Sequence, residues 1–398
     1  MPGPGAFWVG EEEKQAIAEV LESQYLFRFG DVNNPKFLQK TAALERAAER
    51  AFNCKYALAT TSGTASLLSS LFAVGIKPGD EVIVPAYTYL ATYTAVIFLG
   101  GIPVLAEVDD SLTIDPEEIK KKITPKTKAI LPVHMLGNLC QMDAILDIAK
   151  EHGLAVVEDS CQAVGATYRG KSAGTIGDVG AMSLNFFKTI TTGEGGMVVT
   201  DNPEFYERAF EFHNQGTPSE REGTKNLGVI GINFRSNEVT AAFALAQLAK
   251  LPALVERLHY VKDKFKGYLS QIPGLKFRTL NDDRGESAAV CVVVLDSAEE
   301  TKKIGALLGT GPIQESGWHV YSNMDHINAF LKEHGQPYGY GAYPRTDDLM
   351  ARTIALSVGV VDAGLGAGFG VNVLSSDEEI EAKARQFEEA YRKVKSEQ

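Results

Sequence analysis

The chain has 398 residues, 44% of them hydrophobic and 23% charged. That is ordinary globular composition, with enough length for about two or three cores. A formal net charge of −12 argues against non-specific binding to nucleic acid or to an anionic membrane. Cys54, Cys140, Cys161 and Cys291 lie far apart. They form no CxxC pair and no Cys/His cluster, so neither a metal site nor a disulfide framework is expected. They read as small core residues of a reduced, cytosolic protein. The start, MPGPGAFWVGEEEKQ, lacks the basic and apolar regions of a signal peptide. No apolar run is expected to span a membrane, which takes about 18 residues.

From Tyr56 to Thr200 short β-rich runs alternate with helical stretches. KYALATTSGT reads as a strand entering a turn and ASLLSSLFAVGI as the helix behind it. DEVIVPAYTY (strand), ATYTAVIFLGG (helix), IPVLAEVD (strand) and TKAILPVHML (strand) follow. Next come MDAILDIAKEHG (helix) and LAVVEDSC (strand). Apolar runs such as EVIVP suit a sheet buried on both faces, and the alternation predicts parallel βαβ units. GMVVT continues the sheet. From Asn237 the pattern turns long and helical. SAAVCVVVLD, a helical EETKKIGALLG and a closing helix SSDEEIEAKARQFEEAYRKVK then follow. The expectation is a large α/β domain, with a mostly parallel sheet flanked by helices, over residues 1–250. A smaller α+β domain is expected over 251–398.

Within the large domain, SLNFFKTITTGEGG carries one lysine, Lys188, between an apolar stretch and a glycine-rich turn. Most lysines are solvated surface groups. A partly buried amine loses hydration, its pKa falls, and it can form an imine with an aldehyde. Four features decide for the second reading, because together they meet the needs of pyridoxal 5′-phosphate (PLP). Ser62-Gly63-Thr64 ends a strand and starts a helix, where free N–H groups bind phosphate; the same triplet makes a plain N-cap. Asp159 ends an apolar strand, where a carboxylate can pair with a pyridinium nitrogen or cap the next segment. Gln162 is three residues on. Tyr87 and Tyr89 follow another strand end, where an aromatic face can stack on a flat ring or pack in the core. Ser183 can donate to the phosphate while Lys188 supplies the amine. Gly193, Gly195 and Gly196 let the chain reverse before the next strand.

EDSCQAVGATYRGKSAGTIGDVGAMSLNFFKTITTGEGGMVVT resembles the central signature of the DegT/StrS-type sugar aminotransferases, PLP enzymes of fold type I. SGTASLLSSLFAVGIKPGDEVIVPAYTYLAT and GINFRSNEVTAAFALAQL resemble the blocks on either side. The resemblance covers residues 10 to 250 and is looser beyond. It implies Lys188 as the internal aldimine lysine and Asp159 as the partner of the pyridinium nitrogen. Gln162 is implied at the cofactor face and Tyr89 on the ring. Ser62, Gly63, Thr64 and Ser183 are implied at the phosphate. Asn233 resembles an asparagine that reaches the phosphate of the neighbouring subunit, which implies a homodimer. Asp159-Ser160-Cys161-Gln162 departs from the family's D-A-A-Q, and Leu184 stands where the family has Phe. Some relatives are dehydratases with histidine at the lysine position; Lys188 argues for transamination.

The resemblance also implies the reaction. An amino donor, glutamate or glutamine, gives its nitrogen to the enzyme, and a keto- or aldehydo-sugar takes it. Nucleotide-linked ketosugars are the family's usual acceptors, and ketocyclitols are others. His319, Tyr321, Asn323 and His326 in SGWHVYSNMDHI are expected as substrate residues, with core and surface roles as the alternative. Arg28 in YLFRFG is expected as a carboxylate clamp, or as a plain surface arginine. These stretches and the MPG start are similar to a subgroup that aminates C8 of an oxidised 3-deoxy-octulosonic acid, forming 8-amino-Kdo. A cysteine desulfurase would need a mobile cysteine, and Cys161 beside Asp159 is poorly placed for that. A PLP-sensing regulator would need a basic DNA-binding segment.

Overall fold

Nine strands precede residue 201: β1 (Tyr56–Thr60), β2 (Glu81–Pro85), β3 (Ile102–Ala106), β4 (Thr127–Ile130), β5 (Ala155–Asp159), β6 (Thr167–Tyr168), β7 (Lys171–Ser172), β8 (Val179–Ser183) and β9 (Gly196–Thr200). In this computed structural model, which describes residues 2–219, 225–359, 365 and 368–397, seven of them form one sheet. Its order is β1-β9-β8-β5-β4-β2-β3, and β6 and β7 make a separate hairpin. Strands β3, β2, β4, β5 and β8 run parallel. Their apolar residues are buried on both faces, which is why EVIVP and AVVED read as continuous runs rather than alternations. Strand β9 is antiparallel to both β8 and β1. The reason is local. Residues 184–195, the turn that holds Lys188, return the chain directly, without the helical crossover a parallel neighbour needs.

The expected helices are Gly63–Ala73, Ala91–Phe98 and Met142–His152. Helices Glu11–Ser23, Lys40–Phe52 and Pro203–His213, which the sequence reading did not single out, complete the layers. A second, antiparallel sheet of β10 (Lys276–Phe277), β11 (Val290–Val294) and β12 (Thr353–Ser357) packs with helices Ala298–Leu308 and Asp377–Ser396.

The junction expected at residue 250 falls inside one element. Helix Glu238–Leu269 runs unbroken through it, 32 residues long. Its first half packs on helices Glu11–Ser23 and Lys40–Phe52, and Ala244 and Leu248 lie beside Met182 of β8 and Met197 of β9. Its second half packs on the smaller sheet through Leu258, Val261 and Phe265. A shared helix therefore ties the two parts into one core. Among the described residues it is also the one helix long and apolar enough to cross a membrane, which the sequence reading did not expect. Of its apolar window, 44% is buried inside the fold.

Candidate active site

The carboxyl ends of β2, β4, β5 and β8 share one edge of the sheet, and β1, antiparallel to β9, ends there too. Open α/β sheets bind ligands at this edge. A cavity of about 560 Å³ opens there, and eight expected residues line it: Ser62, Gly63, Thr64, Tyr89, Asp159, Gln162, Ser183 and Lys188.

One end is an anion cradle. Ser62 caps helix Gly63–Ala73, its Oγ accepting the Ala65 N–H at 3.1 Å. The first-turn N–H groups of Gly63 and Thr64 have no partner within the helix. Ser183 faces them from the end of β8. Its Oγ accepts the Asn185 N–H at 3.2 Å, so its own O–H is left to donate. A Cβ on Gly63 would lie 2.7 Å from Ser183 Cβ and 3.1 Å from Cys161 Sγ. Only glycine brings the helix start this close to the strand ends. Gly196, the first residue of β9, is under the same constraint: its Cβ would lie 2.3 Å from Ser62 O.

Asp159 sits deeper, at the end of β5, and is buried. Oδ2 accepts from Thr92 Oγ1 (2.8 Å) and Oδ1 from the Cys161 N–H (3.1 Å). Thr92 Oγ1 is in turn 2.7 Å from Thr88 Oγ1. One bond to each oxygen fixes the plane of the carboxylate, and each oxygen keeps a second lone pair. The neighbouring Glu158 points the other way and anchors the loop after β7. It accepts the N–H groups of Gly174, Ile176 and Gly177 and a 2.8 Å bond from His134 Nε2. His134 Nδ1 lies 3.2 Å from the Cys140 N, so both ring nitrogens have a partner. Gln162 is oriented by Leu136, whose N–H bonds its Oε1 at 2.9 Å. Lys188 is only 6% exposed. Its turn is fixed by the N–H groups of Lys188 to Asn185 O and of Phe186 to Gly193 O, both 2.9 Å. Gly193 adopts φ +80°, a left-handed conformation suited to glycine.

Tyr89 lies at the mouth, 37% exposed. The Thr88 and Leu90 N–H groups bond His319 O and Trp318 O, each at 3.0 Å, pinning this stretch to the C-terminal part. That pairing decides which residue of SGWHV faces the cavity. Trp318 lines it and is 57% exposed. His319 points inward, buried beneath Tyr89 with ring centroids 5.5 Å apart, its Nδ1 2.7 Å from Ser316 Oγ.

Several expected substrate residues lie elsewhere. Tyr321 is a core residue, its hydroxyl donating to Asp347 Oδ2 and accepting the Tyr343 N–H, both 3.1 Å. Asn323 uses Nδ2 on Gln314 O and Ser316 O. His326 is exposed on helix Asp325–Glu333, and neither it nor Asn323 lines the cavity. Arg28 is no carboxylate clamp. Its guanidinium is buried against Glu45 (2.9 Å), Ala59 O (3.2 Å) and the ring of Phe29. Asn233 also lies outside the cavity, on an exposed stretch, its Oδ1 accepting the Arg235 N–H. Thr88, Thr92, Asn185, Glu194 and Trp318 were not foreseen. Trp318 lies in a turn, residues 317–319, where neither strand nor helix periodicity says which side chain faces the cavity.

A phosphate cradle, a deep carboxylate, a mouth tyrosine and a buried lysine around one cavity fit PLP. When bound, PLP supplies an electron sink for the pair left as a proton leaves an amine's α-carbon. Fold and site are those of a PLP-dependent aminotransferase. The chain belongs to the DegT/DnrJ/EryC1/StrS aminotransferase family, whose profile matches residues 8–361. It is 37% identical to GDP-perosamine synthase of Escherichia coli O157:H7 over 66% of this chain and 69% of that one. It is 32% identical to the spore coat polysaccharide biosynthesis protein SpsC of Bacillus subtilis (strain 168), over 87% of this chain and 90% of that one. Among solved structures, 3-amino-5-hydroxybenzoic acid synthase superposes with a TM-score of 0.77 at 26% identity, covering 97% of each chain. DesI, solved in the presence of its TDP-sugar product, superposes with a TM-score of 0.78 at 25% identity, covering 97% of this chain and 92% of its own.

Proposed function

We propose that this aminotransferase moves the amino group of glutamate (or glutamine) to the carbonyl carbon of a keto- or aldehydo-sugar, with Lys188 and Asp159 as the catalytic pair. The carrying observation is that Asp159, at the end of β5, and Lys188, in the turn that follows the adjacent strand β8, line the same cavity as the anion cradle. Lys188 is the nucleophile that attaches the cofactor. Once displaced, its amine would move the donor's α-proton to the cofactor's aldehyde carbon in the first half-reaction and, in the second, a proton from that carbon to the sugar carbon being aminated. Asp159 pairs with the ring nitrogen through the lone pairs that Thr92 and Cys161 leave open. Ser62, Gly63, Thr64 and Ser183 hold the phosphate, Tyr89 covers the ring and Gln162 faces its edge.

The active unit is a homodimer in this reading. Among the described lining residues Lys188 is the one cation, against Asp159 and Glu194. A phosphate and a dicarboxylate donor need more positive charge than that. The exposed stretch 225–235 carries Lys225, Asn233 and Arg235, with Ile230 91% exposed beside them. Apolar side chains so exposed mark a contact surface. Docked on a second copy, this stretch delivers Asn233 to the partner's phosphate. The reaction belongs to the cytoplasm, where nucleotide-activated sugars and glutamate are made.

Two acceptors divide the observations. The names of the relatives favour a nucleotide-linked ketosugar, and the exposed indole of Trp318 offers a stacking face at the mouth. The 8-oxo-3-deoxy-octulosonate acceptor, suggested by the MPG start and the SGWHVYSNMDHI stretch, needs a carboxylate receptor. With Arg28 committed to Glu45, that receptor must come from the second subunit. Incubating purified protein with PLP, glutamate and a panel holding both acceptor types, read by mass spectrometry, separates them. Amination of neither, or an absorbance band that glutamate leaves unchanged, overturns the reading. Mixing Lys188→Ala with Asn233→Ala protein tests the shared site. Mixed dimers carry one site with both residues intact, so activity must rise above either parent.

A further inference from the structure

The turn that carries Lys188 has irregular backbone, and where the amine points depends on what holds that backbone. Within the turn, Leu184 N–H bonds Gly195 O, Phe186 N–H bonds Gly193 O, Thr192 N–H bonds Leu184 O and Lys188 N–H bonds Asn185 O. Further support comes from beneath, from the start of the chain. The Gly3 N–H donates to Phe186 O at 3.2 Å. A Cβ on Gly3 would lie 2.2 Å from the Phe187 carbonyl carbon, and one on Gly5 would lie 2.8 Å from Ile190 Cα. The two glycines thus let backbone lie directly on backbone under the lysine. On the other side of Lys188, the Thr191 N–H donates to Gln247 Oε1 at 3.2 Å. Gln247 Nε2 donates to Glu13 Oε1 at 2.8 Å. Glu13 is fully buried. Its other oxygen accepts the Gly10 N–H and Lys250 Nζ, both at 2.7 Å, and Lys250 also holds Trp8 O at 2.9 Å.

We infer that residues Gly3–Glu13, tied down by Gln247 and Lys250, are a positioning device for Lys188. They clamp the turn at Phe186 on one side of the lysine and at Thr191 on the other. The amine is thereby presented to the cavity at one place before any cofactor or substrate arrives. None of Gly3, Glu13, Gln247 or Lys250 lines the cavity, so each acts through the turn and none is a catalytic residue. The inference rests on the reading of Lys188 as the cofactor lysine.

The test is hydrogen exchange over residues 184–191 in the cofactor-free protein, with steady-state kinetics beside it. Gln247→Leu removes both bonds of the relay and keeps the side-chain volume. Exchange is expected to quicken by about tenfold, with kcat reduced by a similar factor and the donor KM within about twofold. The swap Glu13→Gln with Gln247→Glu rebuilds the relay with its polarity reversed. The acid at 247 accepts the Thr191 N–H, and the amide at 13 donates to it. The swap is therefore expected to restore protection and kcat. Gly3→Ala, a change near the chain start that leaves the core intact, supplies the independent case should Gln247→Leu fail to fold. Exchange and kcat within about twofold of the parent, in Gln247→Leu or, where that fails to fold, in Gly3→Ala, overturn the proposal. So does a Gln247→Leu defect that the swap leaves unrepaired. A Lys188→Ala variant that still transaminates would instead overturn the underlying assignment, so the two failures are distinct.

Discussion

Gly63→Ala probes the anion cradle with one methyl group. Helix propensity favours the change, since alanine gains up to about 1 kcal/mol over glycine. The backbone does not resist, because Gly63 lies outside the left-handed region. What resists is space. The new Cβ would stand 2.7 Å from Ser183 Cβ, 3.0 Å from Ser183 Oγ and 3.1 Å from Cys161 Sγ. Carbon atoms settle at about 3.5–4.0 Å, so the helix start must back away from β8 by about 1 Å. Ser183 cannot yield instead. It is buried, paired with Gly196 across the β8–β9 ladder, and its Oγ holds the Lys188 turn through Asn185. Overpacking of this kind costs about 1–3 kcal/mol. Set against the helix gain, the cofactor-free protein loses roughly 0–2 kcal/mol, a small shift in melting temperature. The cofactor loses more. A cradle widened by about 1 Å cannot bring both the Ser183 hydroxyl and the first-turn N–H groups onto one phosphate. One charge-assisted bond lost is about 1.5–3 kcal/mol, or roughly tenfold to over a hundredfold in affinity. Titrating the cofactor-free variant with PLP by absorbance, beside its thermal melt, reads both quantities. Affinity within about twofold of the parent would show that no phosphate sits between Gly63 and Ser183.

Lys188→Ala is expected to abolish the borohydride-reducible cofactor link and turnover, while circular dichroism stays that of the parent. Asp159→Asn turns one acceptor into a donor that must face the Thr92 hydroxyl or the Cys161 N–H. A kcat lower by about 10²–10³-fold is expected, with a much smaller change in PLP affinity; an unchanged kcat would make Asp159 a structural cap. His213→Gln tests a pH effect. Burial first, then the Arg28 guanidinium, holds the ring well below the usual histidine range. Its Nδ1–H donates to Phe210 O and its Nε2 accepts from Arg28. A depressed pKa means that the unfolded chain takes the proton first. The contribution is full above about pH 6.5 and fades as pH falls, by up to about 1.36 kcal/mol per unit. Urea midpoints between about pH 6.5 and 5 should therefore fall less steeply in the variant, and equal slopes refute the argument.

The parts of the site legible in the sequence are those whose chemistry is bound to a strand end. Lys188, Asp159 and Ser62-Gly63-Thr64 each follow a run of apolar residues that can be read as buried sheet. A parallel sheet puts all such ends on one edge, so their meeting followed from topology alone. Ser183 was legible for the same reason. The segment beyond residue 310 offered no such frame. SGWHVYSNMDHI is irregular, a turn and one short 3₁₀ helix that lead into the start of helix Asp325–Glu333. Which of its side chains faces the cavity is settled by hydrogen bonds to Thr88 and Leu90, more than two hundred residues away. Residue type pointed to His319 and Tyr321 there, and geometry selected Trp318.

Arg28 and the start of the chain show the same limit from two sides. An arginine among aromatics in YLFRFG carries the right chemistry for a carboxylate ligand. What the local sequence does not hold is its partner. Glu45 on the next helix, the carbonyl of Ala59 and the ring of His213 hold the two terminal nitrogens of the guanidinium, and a buried charge pair of that kind is costly to open. Gly3 and Gly5 carry no chemistry at all. Their value lies in what they lack. A side chain at either place would collide with the backbone of the Lys188 turn, some 180 residues on. A site of this kind is defined as much by the close approaches that hold its reactive group as by the group itself. Reactive groups carry a signature in residue type and spacing, whereas close approaches appear only when the chain has folded back on itself.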